Sequence, residues 1–240
     1  MSDLPTKKDW PVWARAGVLG VLFAGAVALI AGWSFGFLRT SPPTVSYAGT
    51  HTSSGTQVNV VMQTVGSIGT GPRPSWVSYL IQSPDGKWVH TTLFSVPAHA
   101  TVHVKLYEYD STGVLRNPLW ATVTGTVGAK EYVTGTVDSK NVTNAPYTVL
   151  PADAAAHTFS IPALGVNVPL AGYTGKRTLC GVAPCTVASP HNVDTFTLHT
   201  GAAGIFRWQC FMPCGLSFLD GNGGPMQSIG YMMGFMKVVG

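Results

Sequence analysis

The chain has 240 residues, a formal net charge of +4 and only 10% charged residues, against about 25% in an ordinary globular domain. Its basic residues gather only at Lys7, Lys8 and Arg15, and no basic patch interleaved with aromatics follows, which argues against a nucleic-acid partner. With 28 Gly and 17 Pro, the composition suits strands and turns rather than long soluble helices, and ten acidic residues are too few to suggest paired-carboxylate chemistry.

From the N-terminus, residues 1–15 read as a cytoplasmic segment and residues 16–38 as a transmembrane helix. Ala16 to Leu38 carry no charge, and a helix of about 20 apolar residues crosses the hydrocarbon core. The run is longer than the apolar region of a cleaved signal peptide. Trp10, Trp13 and Trp33 lie near its ends, where indoles favour the interface. Lys7, Lys8 and Arg15 precede it and only Arg39 follows closely, so the positive-inside rule predicts a single pass through the plasma membrane, with the bulk of the chain exported.

Residues 39–56 read as a polar linker. Gln57 to Val65 alternates like a strand, and Trp76 to Gln82 and Trp88 to Phe94 read as strands around the turn Pro84-Asp85-Gly86. Residues 57–95 are therefore expected to be a β extension, and 96–240 the main domain. Thr101 to Leu106 alternates as a half-buried strand. It puts His103 on the solvent phase, and His99 just before it is a weaker candidate ligand. Val-Thr-Gly-Thr-Val occurs at 123–127 and again at 133–137, a hairpin-like spacing. Seven or more strands predict an all-β sandwich.

The four cysteines fall into two close pairs. Cys180 and Cys185 flank a short loop containing Pro184, which predicts a local disulfide. Cys210 and Cys214 lie on a short loop at the end of a strand, where two thiolates can converge on a soft metal. His157 opens another apolar strand, Ala156 to Val166, a place that suits a ligating imidazole. Its replacement by Ala is expected to leave the fold intact. Imidazole, thiolate and thioether form the ligand set of copper electron-transfer sites. Met212, Met226, Met232 and Met233 are the thioether candidates, and His191 or His199 would complete the set, although His191 is expected at the surface.

His157-Thr158-Phe159-Ser160-Ile161-Pro162-Ala163-Leu164-Gly165-Val166 resembles the segment of subunit II of haem–copper respiratory oxidases that carries a copper-ligating histidine. Gly204-Ile205-Phe206-Arg207-Trp208-Gln209-Cys210, with Cys214-Gly215, resembles the binuclear copper (CuA) loop of the same cytochrome c oxidase family. The likeness covers about residues 96–239. It implies a cupredoxin-like Greek-key β-sandwich with copper as cofactor, in a two-copper or mononuclear form. It also implies a cytochrome c-like electron donor and a haem-containing oxidase subunit I among other membrane subunits. By this resemblance His157 is the first imidazole ligand and Cys210 and Cys214 are the bridging thiolates. Met212 stands where the family uses a backbone carbonyl. The family's second histidine and its methionine would fall at Phe218 and Gly221, and Met232 occupies the ligand place of a mononuclear cupredoxin ending. The departures keep two alternatives open: a copper-free structural relative whose cysteines are all disulfide-bonded, or an exported copper-carrying module.

Overall fold

The computed structural model describes residues 11–39, 42–115, 117–175, 179–214 and 224–240. They fall into two compact units that divide after Ser41. The first is the helix α1, Val12–Arg39. Its stretch Val12–Phe35 has a mean hydropathy of 2.1 and is long and apolar enough to cross a membrane. Leu19, Leu22, Phe23 and Leu29 are all exposed along it, as on a helix that could serve as a membrane anchor or a signal sequence. Arg15 lies inside the first turns of this helix rather than before it, and Lys7 and Lys8, on which the expected orientation rests, lie outside the described residues.

The second unit is a two-sheet β-sandwich. Its strands are β1 (Thr44–Ser46), β2 (Thr50–Thr52), β3 (Gly55–Val65), β4 (Ser78–Gln82), β5 (Trp88–Val89), β6 (Leu93–Pro97) and β7 (Ala100–Glu108). They are followed by β8 (Glu131–Val137), β9 (Lys140–Tyr147), β10 (Ala155–Ile161), β11 (Val166–Ala171), β12 (Asn192–His199), β13 (Gly204–Gln209) and β14 (Met233–Val239). One sheet has the order β1-β6-β14-β13-β10-β11, and the other β5-β4-β3-β7-β12-β8-β9, with β2 beside β3. Period-2 burial explains the layers. Ala100, Val102, Val104 and Leu106 on β7 point inward, as do Phe196 and Leu198 on β12. Against them pack Phe159 and Trp208 of the facing sheet, and Trp208 donates Nε1–H to the Thr92 carbonyl (3.1 Å).

Several sequence expectations change. The expected linker contains β1 and β2, because Thr44-Val45-Ser46 finds a parallel partner in β6. Trp88 to Phe94 is not one strand. It breaks at residues 90–92, so that β5 ends one sheet and β6 enters the other. β3 pairs in parallel with β7, and β6 with β14. The segment 57–95 thus contributes strands to both sheets, and no break in packing coincides with residue 96. The two Val-Thr-Gly-Thr-Val copies do not pair with each other. The second is β8, whose hairpin partner is β9. Asp138 and Ser139 between them both have positive φ (50° and 60°), as a tight two-residue hairpin turn demands.

Candidate metal centre

Two strands and the loop after the second deliver the site. His157 lies on β10, just after an irregularity in its pairing with β11 between Ala155 and His157. β13 runs beside β10, with Gln209 opposite Ser160, and so releases Cys210 directly next to His157. The following loop folds back, because Cys214 N–H donates to the Met212 carbonyl (2.7 Å), and this returns the second thiol to the same place. His157 Nδ1 lies 2.8 Å from Cys214 Sγ and 3.9 Å from Cys210 Sγ. The two sulfurs are 3.4 Å apart, too far for the roughly 2.05 Å of a disulfide and close enough to share one ion at thiolate bond lengths. All three donor atoms lie within 4.8 Å of one another.

The backbone prepares Cys210 to be a thiolate. Its sulfur receives the N–H groups of Thr158 and Met212, each at 3.3 Å. Burial raises its pKa, but the Cys214 thiol, the His157 ring and the Thr158 N–H outweigh this and hold it well below the usual thiol range. Cys214 moves the other way, pushed up by the neighbouring Cys210 and by burial. Burial works against a charged His157, yet Glu108, Asp110 and Cys210 carry its pKa well above the ordinary value. These directions favour the thiolate at Cys210, the thiol at Cys214 and the charged ring at His157.

Behind the ring lie two carboxylates that the sequence analysis did not single out. Asp110 Oδ2 is 3.3 Å from His157 Nε2, and Glu108 Oε1 is 3.9 Å from it. Neither contact has hydrogen-bond geometry, and Nε2 is without a hydrogen-bond partner; these are ion pairs. Burial pushes the Glu108 carboxyl up to about 7, against the pull of His157. Burial also raises Asp110, but the His157 ring overrides it and leaves that carboxyl below its ordinary value. A signal for Glu108 was present in the sequence: it continues the inward phase Ala100, Val102, Val104, Leu106, where an acid is out of place.

His157 is 2% exposed, so it is a core residue rather than the half-open strand start expected, and its removal would strand the buried Glu108 carboxylate and the half-buried Asp110. Met212 and Met232 adjoin Cys210 through the main chain. Met212 donates its N–H to the Cys210 sulfur, and the Met232 carbonyl accepts the Cys210 N–H (3.0 Å). Both side chains are buried in the same core cluster as Cys210. His99 and His103 are exposed, and His103 bonds to Gln57 and Thr197. His199 is exposed and bonds to Thr101. His191 is half-buried between Tyr107 and Tyr109 rather than at the surface, and neither it nor His199 joins the converging donors. Phe218 and Gly221 lie outside the described residues. Cys180 and Cys185 form the expected disulfide.

A cleft of about 450 Å³ lined by Trp76, Asp110, Val114, Pro213 and Cys214 opens onto the site. Trp120 stacks flat on Phe211 (3.9 Å between centroids, 5° between planes) beside it. Two thiolates and an imidazole brought together by a folded-back loop suit copper, and they also suit zinc.

No family model and no curated protein matches the chain. Among solved structures it is similar to rusticyanin, described as a copper protein, at 18% identity over 84% of this chain and 86% of that one, with a TM-score of 0.33. It is similar to rusticyanin from Thiobacillus ferrooxidans at 17% identity, covering 84% and 85% of the two chains, with a TM-score of 0.34. Reduced rusticyanin determined by NMR gives 19% identity, 84% of each chain and a TM-score of 0.33. The fold of this chain is an all-β sandwich of two sheets preceded by one apolar helix, and His157, Cys210 and Cys214 are its converging candidate ligands.

Proposed function

We propose that this chain is a membrane-anchored, exported copper protein that relays electrons as a subunit II-like component of a haem–copper respiratory oxidase. The observation that carries the copper reading is the convergence of His157 Nδ1 and the Cys210 and Cys214 sulfurs. Bound copper would supply one-electron cycling between Cu(I) and Cu(II). The residues hold it: Cys210 as a thiolate fixed by two N–H groups, Cys214 as a second thiolate once its proton leaves, His157 through Nδ1. Met212, through its carbonyl, and Met232, through its thioether, are the proposed further donors. The chain itself makes and breaks no substrate bond.

The likeness of the two motifs to subunit II supports the oxidase role. By it the electron donor is cytochrome c-like, and the acceptor is the haem of an oxidase subunit I held with other membrane subunits. The anchor would keep the exported domain at that membrane face. A second reading follows from the 3.4 Å between the two sulfurs: oxidised to a disulfide, they would leave a copper-free structural subunit. Visible and near-infrared absorption of the reduced, copper-loaded full chain in detergent separates a two-copper centre, a mononuclear site and no site. Co-purification with a haem-bearing many-helix subunit, reduced through this chain, supports the relay. Recovery of a colourless chain with four oxidised cysteines rejects it, and a copper-loaded chain recovered without haem points to a carrier.

A further inference from the structure

The His157 ring is held from both ends. Nδ1 faces the two sulfurs, while Nε2 faces Asp110 Oδ2 and, slightly farther, Glu108 Oε1. Neither carboxylate belongs to the converging donor group, so neither is a ligand. Each is itself fixed. Glu108 is fully buried, takes the Thr64 hydroxyl, and accepts the Asp110 N–H at 2.9 Å. Asp110 accepts the Ser111 N–H on Oδ1 (2.7 Å), which leaves Oδ2 turned to the ring. Gly66 makes the space: a Cβ there would lie 2.9 Å from Asp110 Oδ1 and 3.1 Å from Oδ2.

We propose that Asp110, braced by Glu108 and admitted by Gly66, is a positioning residue that fixes the His157 ring with Nδ1 toward the thiolates and biases bound copper toward Cu(II). The inference rests on the copper reading above. A carboxylate facing the remote nitrogen of a ligating imidazole, here as an ion pair at 3.3 Å, favours the tautomer protonated on that side and raises the basicity of the ligating nitrogen. A fixed negative charge one ring away from the metal favours the higher oxidation state. Asp110 is partly exposed, so at an effective dielectric near 40 and a separation of about 7 Å the effect is about 1.2 kcal/mol, or about tenfold in the ratio of Cu(II) to Cu(I) affinity. Asp110 also lines the cleft that opens onto the site, and its side chain is 28% exposed. Replacing it therefore perturbs the core less than replacing Glu108 would.

The test uses the reduced full chain in detergent and two variants. Asp110→Asn keeps the shape and removes the charge; Gly66→Ala keeps the charge and displaces the carboxylate. Nitrogen-15 NMR of the His157 ring is read without copper and with Cu(I), and the Cu(II)/Cu(I) affinity ratio is read by redox titration. The wild type should keep a slowly exchanging Nε2–H in both states. Asp110→Asn should lose that signal to exchange and lower the affinity ratio about tenfold, with the copper stoichiometry unchanged. Gly66→Ala should lose the same ring signal. An unaltered ring signal together with an unaltered affinity ratio in both variants overturns the proposal. Failure of the wild type to take up copper overturns the copper reading instead, and the copper-free ring signal then decides the positioning role alone.

Discussion

Asp194 on β12 and Glu131 on β8 form a buried acid pair with no ion-pair partner among the described residues, and their response to pH is a quantitative prediction. Asp194 Oδ1 accepts the Ala171 N–H (3.0 Å), but its Oδ2 and both Glu131 oxygens have no hydrogen-bond partner. Burial, and then each other's proximity, raises the Glu131 carboxyl well above its ordinary value. Burial does the same to Asp194, opposed by the Ala171 N–H and aided by Glu108. The folded state therefore keeps protons that the unfolded chain releases above about pH 4. Stability is full below that pH and falls as pH rises toward the raised folded values, by about 1.4 kcal/mol per pH unit for each group. Together the pair costs about 3 kcal/mol per unit at most. Glu131→Gln combined with Asp194→Asn keeps the shape of the protonated pair and removes the dependence. Urea unfolding of both proteins in detergent, followed by the fluorescence of the buried Trp208 from about pH 5 upward, gives the difference between them. Contributions from Asp110, His157 and the thiols are common to both, while the coupling of Glu108 to Asp194 is removed with Asp194 and belongs to the difference. A difference that stays flat, or that grows in favour of the wild type as pH rises, refutes the reasoning.

His157→Ala, by leaving Glu108 buried without its counter-charge, should destabilise the sandwich by about 3–5 kcal/mol, seen as a lower urea midpoint. Cys210→Ser removes the sulfur that receives two N–H groups and should abolish both bound copper and any sulfur-to-copper charge-transfer band, as read by metal analysis and absorption. Replacing Cys180 and Cys185 by Ser opens a loop of sequence separation 5, which should cost about 2 kcal/mol without changing copper stoichiometry. An impermeant thiol reagent applied to intact cells should label Thr50→Cys above the wild-type background, and absence of labelling there would reverse the expected orientation.

Much of the architecture was legible because it depends on local periodicity. The apolar run that became α1, the alternation from Thr101 to Leu106 and the Cys180/Cys185 loop each carry their signal within a few residues. His157, Cys210 and Cys214 were legible for the same reason: short motifs with chemistry in them. Strand partners were not. Trp88 to Phe94 reads as one strand because nothing local records that Val89 pairs with Ile81 in one sheet while Leu93 pairs with Thr44 and Phe235 in the other. Parallel pairing of β3 with β7 joins segments that no short-range rule connects, so 57–95 looked like an addition when it is part of both sheets.

By itself the sequence determined the apolar helix, the all-β class, the local disulfide and the three soft donors, since each follows from composition or spacing along the chain. Only the tertiary structure decided that those donors meet, that His191 and His199 stay away from them, and that His157 is buried against Glu108 and Asp110. The physical reason is that burial and charge pairing are properties of a place, not of a residue. Glu108 is one acid among ten until β3, β7 and β10 enclose it, and only then does its charge act on the imidazole of His157.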